Sequence, residues 1–290
     1  MALEQTLLYV GATKSASAAG LKTEYQEFSV DLDPFARIWG SEIAGNEIRL
    51  DSTPYVTDDG YVFQMQDAGS LISLTAENVS GLSKILANYN LTKSEISGLI
   101  AHLRDYVDRD DEPTLGGAES KDYESRGVLP PTNRFLVTPW QLRNVKGWGV
   151  FLKNTPEFFN EVSIYPGEFE NYNFMTKKRL LSIEGMDESV VNEIIKFRKD
   201  SAFLKWDDVE KVTGFVREQD VFRVNYIPTR YLRIKIKKIG SSLSNWASVT
   251  MTPRSNSAPW EFDYRVRRKD YENDAGSYRH IKEISPSRLF

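Results

Sequence analysis

The spacing of hydrophobic and polar positions changes along the chain, and each change predicts a different kind of element. Residues 2–20, rich in Ala, Ser and Leu, predict a helix ending near Gly20. Residues 21–70 turn irregular and strand-like. There Tyr61, Phe63 and Met65 alternate with Val62, Gln64 and Gln66, the period of two that suits a half-buried strand. Asp58-Asp59-Gly60 supplies the reversal before it. From about residue 76 the period becomes 3.6. Thr92-Lys-Ser-Glu95 is a capping-box signature, in which hydroxyl and carboxylate each satisfy an orphan amide. Behind it Ile96, Leu99, Ile100, Leu103 and Val107 form one helical stripe. Thr138-Pro-Trp-Gln141 repeats the device with proline at the first helical position. Asp187 caps a further helix whose buried face is Val190, Val191, Ile194 and Ile195.

After Pro228 the period returns to two. Leu232, Ile234 and Ile236 alternate with Arg233, Lys235 and Lys237, and Phe262, Tyr264 and Val266 alternate with Asp263, Arg265 and Arg267. With a short strand at Val249 and Met251 between them, these predict an antiparallel meander whose basic face is wet. Strands on either side of a helical block describe an insertion into a sheet. The expectation is an α+β fold in which residues 1–75 and 226–290 build one sheet domain and residues 76–225 form a helical domain projecting from it.

Composition changes this picture little. At 40% apolar and 27% charged residues the chain can bury a core. No apolar run reaches the roughly 18–20 residues of a membrane span, and Thr6-Leu-Leu-Tyr-Val10 is too short for the core of a signal peptide. There is no cysteine, and His102 and His280 are the only histidines, which removes thiolate chemistry and makes imidazole-based zinc sites unpromising. No nucleophile elbow, phosphate loop or dinucleotide fingerprint occurs. The chain is not expected to be an enzyme.

Charge changes it more. Residues 226–290 hold 13 Lys/Arg against 6 Asp/Glu, while residues 105–124 hold eight carboxylates and two basic side chains. Such an acidic run either stays solvated or gathers around a cation. Counted from Asp108, oxygen-bearing side chains fall at positions 1 (Asp108), 3 (Asp110) and 5 (Glu112), with Glu119 at position 12, the ligand spacing of a calcium loop. Thr114 at position 7 would offer its backbone carbonyl. Pro113 stands where an EF-hand requires glycine, so the geometry is not that of an EF-hand. Gly116-Gly117 argues for a tightly folded loop. Spacing alone leaves a calcium loop and a solvated acidic loop both open.

Leu181 to Arg198 resembles a helix-hairpin-helix, which makes a DNA-binding module the alternative function. Glu184, Asp187 and Glu188 surround its turn, however, and would repel a phosphate. Nucleic acid is therefore not the expected partner.

Several stretches together resemble a known family, the K-type minor pseudopilins of type II secretion systems. Leu103-Arg-Asp105-Tyr-Val-Asp108-Arg-Asp110-Asp-Glu112-Pro, followed by Gly117-Ala-Glu119 and Tyr123, is similar to the family's D-W-x-D-x-D run leading into G-A-E and a tyrosine. Asn133-Arg-Phe-Leu with Trp140-Gln-Leu142-Arg-Asn-Val145-Lys-Gly147 resembles its N-x-P-hydrophobic and E-L-x-x-V-x-G segment. Asn171-Tyr-Asn173-Phe-Met-Thr176 sits where the family carries N-x-N-T-A. Asp67-Ala-Gly69 through Leu74 matches D-x-x-G…L-N except that Thr75 replaces the asparagine, and Ser15 to Gly20 looks like the Ala-rich end of a pilin helix.

The resemblance implies a pilin-like fold, with an N-terminal helix against an antiparallel sheet and a large all-α domain inserted in the sheet region. It implies calcium at the acidic run, held first by Asp108, Asp110 and Glu119 and then by Asp105, Asp111, Glu112 and Asp122. The partners implied are I- and J-type minor pseudopilins, together forming the tip of a periplasmic pseudopilus in a Gram-negative bacterium. The family's apolar inner-membrane anchor has no counterpart in this sequence: Met1-Ala2 reads either as a leader ahead of a periplasmic part or as the native start, and the second reading would remove the anchoring that the resemblance implies.

Overall fold

A computed structural model of the chain describes residues 2–13, 16–22, 47–75, 79–165, 169–216, 224–269 and 279–280. It falls into two compact units, the first made of Met1–Ser70, Phe169–Lys177 and Gly185–Phe290, the second of Leu71–Glu168 and Lys178–Glu184.

The first unit is built on a sheet. The reversal at Asp58-Asp59-Gly60 joins β4 (Asp51–Val56) to β5 (Tyr61–Asp67), with Gly60 in the left-handed region at φ 78°. The C-terminal meander forms as expected from β8 (Tyr231–Lys238), β9 (Leu243–Met251) and β10 (Trp260–Lys269). Antiparallel pairing of β5 with β8, from Tyr61↔Lys238 to Asp67↔Leu232, fuses the early and late strands into one sheet. Its order is β10-β9-β8-β5-β4-β11, the last being Arg279–His280 paired parallel to β4.

Helix α1 (Ala2–Thr13) buries Leu7, Leu8 and Val10 in the same cluster as Phe63, Met65, Leu232, Ile234 and Val249 of that sheet. Gly11 lets the two layers approach, since a Cβ there would stand 3.0 Å from the Met251 side chain and 3.2 Å from that of Leu232. The helix is shorter than expected. Residues 16–20, assigned to its Ala-rich end, instead enter a hairpin of β1 (Ala16–Ser17) and β2 (Gly20–Lys22) that pairs with β3 (Glu47–Ile48). Gly20 decides this: at φ 132°, with the Ile48 carbonyl oxygen 2.3 Å from where a Cβ would lie, only glycine fits.

Two strand expectations are corrected. Arg233, Lys235 and Lys237 alternate as predicted, but their face is covered, each being less than a tenth exposed. Arg233 and Lys235 lie over the Trp246 ring at 5.1 and 5.4 Å, so long aliphatic stems and cation–π contact replace water. In β10 a bulge between Phe262 and Tyr264 breaks the alternation. Phe262 pairs with Val249 and Tyr264 with Ser248, consecutive residues of β9, so the two aromatics lie on opposite faces.

The second unit has its own core. The capping box at Thr92 and Glu95 starts α3 (Lys93–Val107), which buries Ile96, Leu99, Ile100, Leu103 and Val107. These pack with α2 (Val79–Ala87) and α5 (Trp148–Asn154), and with an aromatic group of Trp148, Phe151 and Phe158. Trp148 donates its indole N–H to the Leu99 carbonyl at 2.7 Å, which removes the cost of burying it. Thr138-Pro-Trp-Gln141 opens a 3-10 helix, Pro139–Asn144, rather than an α-helix. Nor is the unit purely helical, since β6 (Ile72–Ser73) and β7 (Val162–Ser163) form a parallel ladder where the chain enters and leaves.

The helical block expected over 76–225 is divided differently. Beyond α6 (Lys177–Leu181), helices α7 (Glu188–Phe197) and α8 (Trp206–Thr213) belong to the first unit. Two buried asparagines fix this. Asn171 donates to the Ile227 carbonyl, and Asn173 exchanges hydrogen bonds with Phe203 and donates to the Tyr226 carbonyl. Side-chain amides thus satisfy backbone groups where no regular ladder could, a role invisible to helical periodicity.

Candidate metal centre

The acidic run occupies the end of α3, the loop after it and the short helix α4 (Ser120–Glu124), all in the second unit. Asp105 lies in the last turn of α3 and is fully buried, Asp108 is its C-cap, and Glu119 is the N-cap of α4. Helix ends therefore aim all three. One oxygen from each lies within 4.8 Å of the others. Oxygens bound to one calcium at about 2.3–2.6 Å can stand no more than about 5 Å apart, so the trio matches the size of that ion's shell.

The three carboxylates differ in what they already hold. Asp105 accepts from the Thr114 hydroxyl at 2.7 Å, the Thr114 amide at 3.2 Å and the Ala118 amide at 2.8 Å, so it ties the loop down. Gly117 makes this possible, since a Cβ there would sit 1.7 Å from an Asp105 carboxylate oxygen. Thr114 acts through its amide and hydroxyl, while its carbonyl, the expected ligand of position 7, accepts from the Gly117 amide at 2.8 Å. Glu119 is only 4% exposed, yet neither of its oxygens receives a hydrogen bond, and Asp108 Oδ1 is likewise buried without a donor. Burial, reinforced by the charges of Asp105, Asp108 and Asp111, pushes Glu119 up to about 7. Asp108 is also raised, by burial and then by Asp110 and Asp105. Buried acceptors without donors, crowded by like charge, are what a cation would satisfy.

The other expected ligands stand outside the trio. Asp110 and Glu112 are exposed, with an Asp110 oxygen accepting from the Glu112 amide at 3.0 Å. Asp111 is held below the usual carboxylate range first by the Ser120 hydroxyl and then by the Ser120 amide, which donates to it at 3.1 Å. Asp122 is held low chiefly by its bond to Lys146, at 3.1 Å, and by that residue's charge. His102 is half-buried and sets a ring nitrogen 3.0 Å from the Lys146 carbonyl, a packing role. Asn133, which no spacing rule singled out as a ligand, reaches the acidic loop through a hydrogen bond from its amide nitrogen to the Asp110 carbonyl at 2.9 Å.

Residues 64–154 match the family profile of type II secretion system protein K. That segment is similar to protein K. Over 92% of its length the chain also shares the fold of a chain from the solved GspK–GspI–GspJ complex of the enterotoxigenic Escherichia coli type 2 secretion system. That likeness covers 97% of the other chain, at 15% sequence identity and a TM-score of 0.55. No curated protein sequence matches the chain.

The protein K segment carries the whole trio, with Gly117, Asn133 and Lys146. It begins inside β5, just before a second constellation. There Asp67 accepts from both the amide and the hydroxyl of Thr229, and Gly69 makes room for that threonine, whose methyl group would lie 2.5 Å from a Cβ. The D-x-x-G motif is thus a fastening between β5 and the segment entering β8. Outside the protein K segment, the turn before α7 offers no phosphate grip. Asp187 spends its carboxylate on the Val190 amide at 2.9 Å, occupying an amide that a helix-hairpin-helix would present to DNA.

Proposed function

We propose that the chain acts as the K-type minor pseudopilin at the tip of a type II secretion pseudopilus, assembled with I- and J-type minor pseudopilins. The observation that carries this is the protein K match over residues 64–154. The fold likeness to a chain of the GspK–GspI–GspJ complex supports it. The role is structural. An element that ends a filament needs bulk and shape, and the second unit supplies bulk beyond a helix-and-sheet body. On this reading the all-α insertion expected from sequence corresponds to that unit, which also carries a small parallel ladder.

The site of action is the periplasm, with the full-length protein held at the inner membrane. Among the described residues no helix is long and apolar enough to cross a membrane. Calcium belongs to the same proposal. Asp105, Asp108 and Glu119 would hold it, and the ion would neutralise the buried carboxylates and close the loop. Asp110, Asp111, Glu112 and Asp122 would contribute to the local negative field.

Size exclusion with light scattering tests the assembly. Mixed with the soluble domains of I- and J-type partners from the same source, the chain should elute as a single 1:1:1 complex. Three separate monomer peaks would overturn the tip assignment.

A further inference from the structure

We propose that Asn133 supplies an oxygen ligand to the cation of the Asp105–Asp108–Glu119 centre, so that the ion joins two loops rather than closing one. The inference rests on the reading of that centre as a calcium site. Asn133 Oδ1 is buried with no hydrogen-bond partner, as are Asp108 Oδ1 and both oxygens of Glu119. Its amide orientation is fixed. Nδ2 donates to the Asp110 carbonyl at 2.9 Å, a contact only the nitrogen can make, so the other end must be the oxygen. Asp110 lies two residues beyond Asp108, which anchors Asn133 beside the start of the acidic loop.

The backbone agrees. Asn133 sits at φ 49°, in the left-handed region that asparagine tolerates better than other residues with a Cβ. A surface loop has no need of that conformation merely to present a solvated amide. Chemistry gives the last step. Calcium takes six to eight oxygens, amide carbonyls among them, and three carboxylate side chains leave its shell short. Asp105 is already committed to three donors, so a neutral oxygen from a second loop adds a ligand without adding to the repulsion that crowds Glu119.

The test is calcium titrated calorimetrically into the calcium-stripped chain, for wild type, Asn133→Ala and Asn133→Asp. Asn133→Ala should weaken calcium binding by about tenfold or more, in the range seen when a supporting group at a metal site is lost. Asn133→Asp keeps an oxygen but loses the donor to Asp110, and should bind far more tightly than the alanine variant. In EDTA both variants lose the bond to Asp110, and alanine is less suited than asparagine to φ 49°, so a lowered melting temperature without calcium is expected of Asn133→Ala, and the calcium affinity itself is the readout. Two results would overturn the proposal while leaving the calcium site standing. One is wild-type affinity in Asn133→Ala. The other is equal weakening in both variants, which would assign the effect to the Nδ2 bond. A wild-type chain that takes up no calcium would remove the calcium reading itself, and this inference with it.

Discussion

One kind of buried carboxylate at the acidic centre receives three hydrogen bonds and another receives none. Asp105 belongs to the first kind and Glu119 to the second. Because Glu119 is raised to about 7 in the fold from an ordinary value of 4.5, the folded chain binds its proton more tightly than the unfolded chain does. The calcium-free protein should therefore lose stability as pH rises from about 4.5 to about 7. Glu119→Gln removes that penalty while keeping the shape. In EDTA at pH 8 the variant should be more stable than wild type, by roughly 1–3 kcal/mol, and in excess calcium it should be less stable. Chemical denaturation under both conditions checks the crossing, and a variant weaker in both would give Glu119 an ordinary packing role. Sequence spacing could single out Asp108 and Glu119 as candidates because position in a loop is a sequence property. It could not separate Asp105 from Glu119, since the number of donors each receives depends on Thr114, Gly117 and Ala118 folding back. Nor could it see that Gly116, at φ 79°, serves a turn while Gly117 serves close approach.

At the scale of elements, β5 ends on a buried acid that holds the chain entering β8. Asp67 is fully buried, and burial pushes its carboxyl up to about 7, the Thr229 hydrogen bonds offsetting only part of the rise. A raised acid costs stability progressively as pH climbs from its unfolded value near 4 to its folded value near 7. Asparagine at this position can still accept both Thr229 bonds through its carbonyl oxygen. Asp67→Asn should match the wild type near pH 4 and exceed it by roughly 2–4 kcal/mol at pH 8. Glu119 titrates over the same range, so the difference between variant and parent is the quantity to measure. A difference that does not change with pH would show that Asp67 stays ionised in the fold. The elements most legible in the sequence are those whose signal is local: the capping box at Thr92, the Asp187 cap, the β4–β5 reversal and the meander. Those that escaped depend on distant partners. Gly20 needs Ile48, Asn173 needs Phe203 and Tyr226, and the covered face of β8 needs Trp246.

At the scale of the whole molecule, the described residues include two large buried clusters, one around Leu7, Phe63, Leu232 and Val249, the other around Leu82, Leu103, Trp148 and Phe158. Each is large enough to melt cooperatively, so all-or-none behaviour of the full chain is not required. All members of the candidate metal centre lie in the second unit, and a ligand stabilises the state that binds it by mass action. Calorimetry should therefore resolve two transitions. Adding calcium to about a hundredfold over its dissociation constant should raise one of them, with a stabilisation of roughly 2–3 kcal/mol, and EDTA should reverse the shift. Trp148→Ala identifies which transition belongs to the second unit, because emptying that aromatic cluster should lower it by about 3–5 kcal/mol. If the transition moved by calcium is the one lowered by Trp148→Ala, the ion acts as a local fastening of the protein K segment. Should calcium raise the other transition, the centre described here is not where it binds. A single transition raised by calcium and lowered by Trp148→Ala would instead make the two cores one cooperative body, and the acidic loop would then stabilise the sheet unit as well.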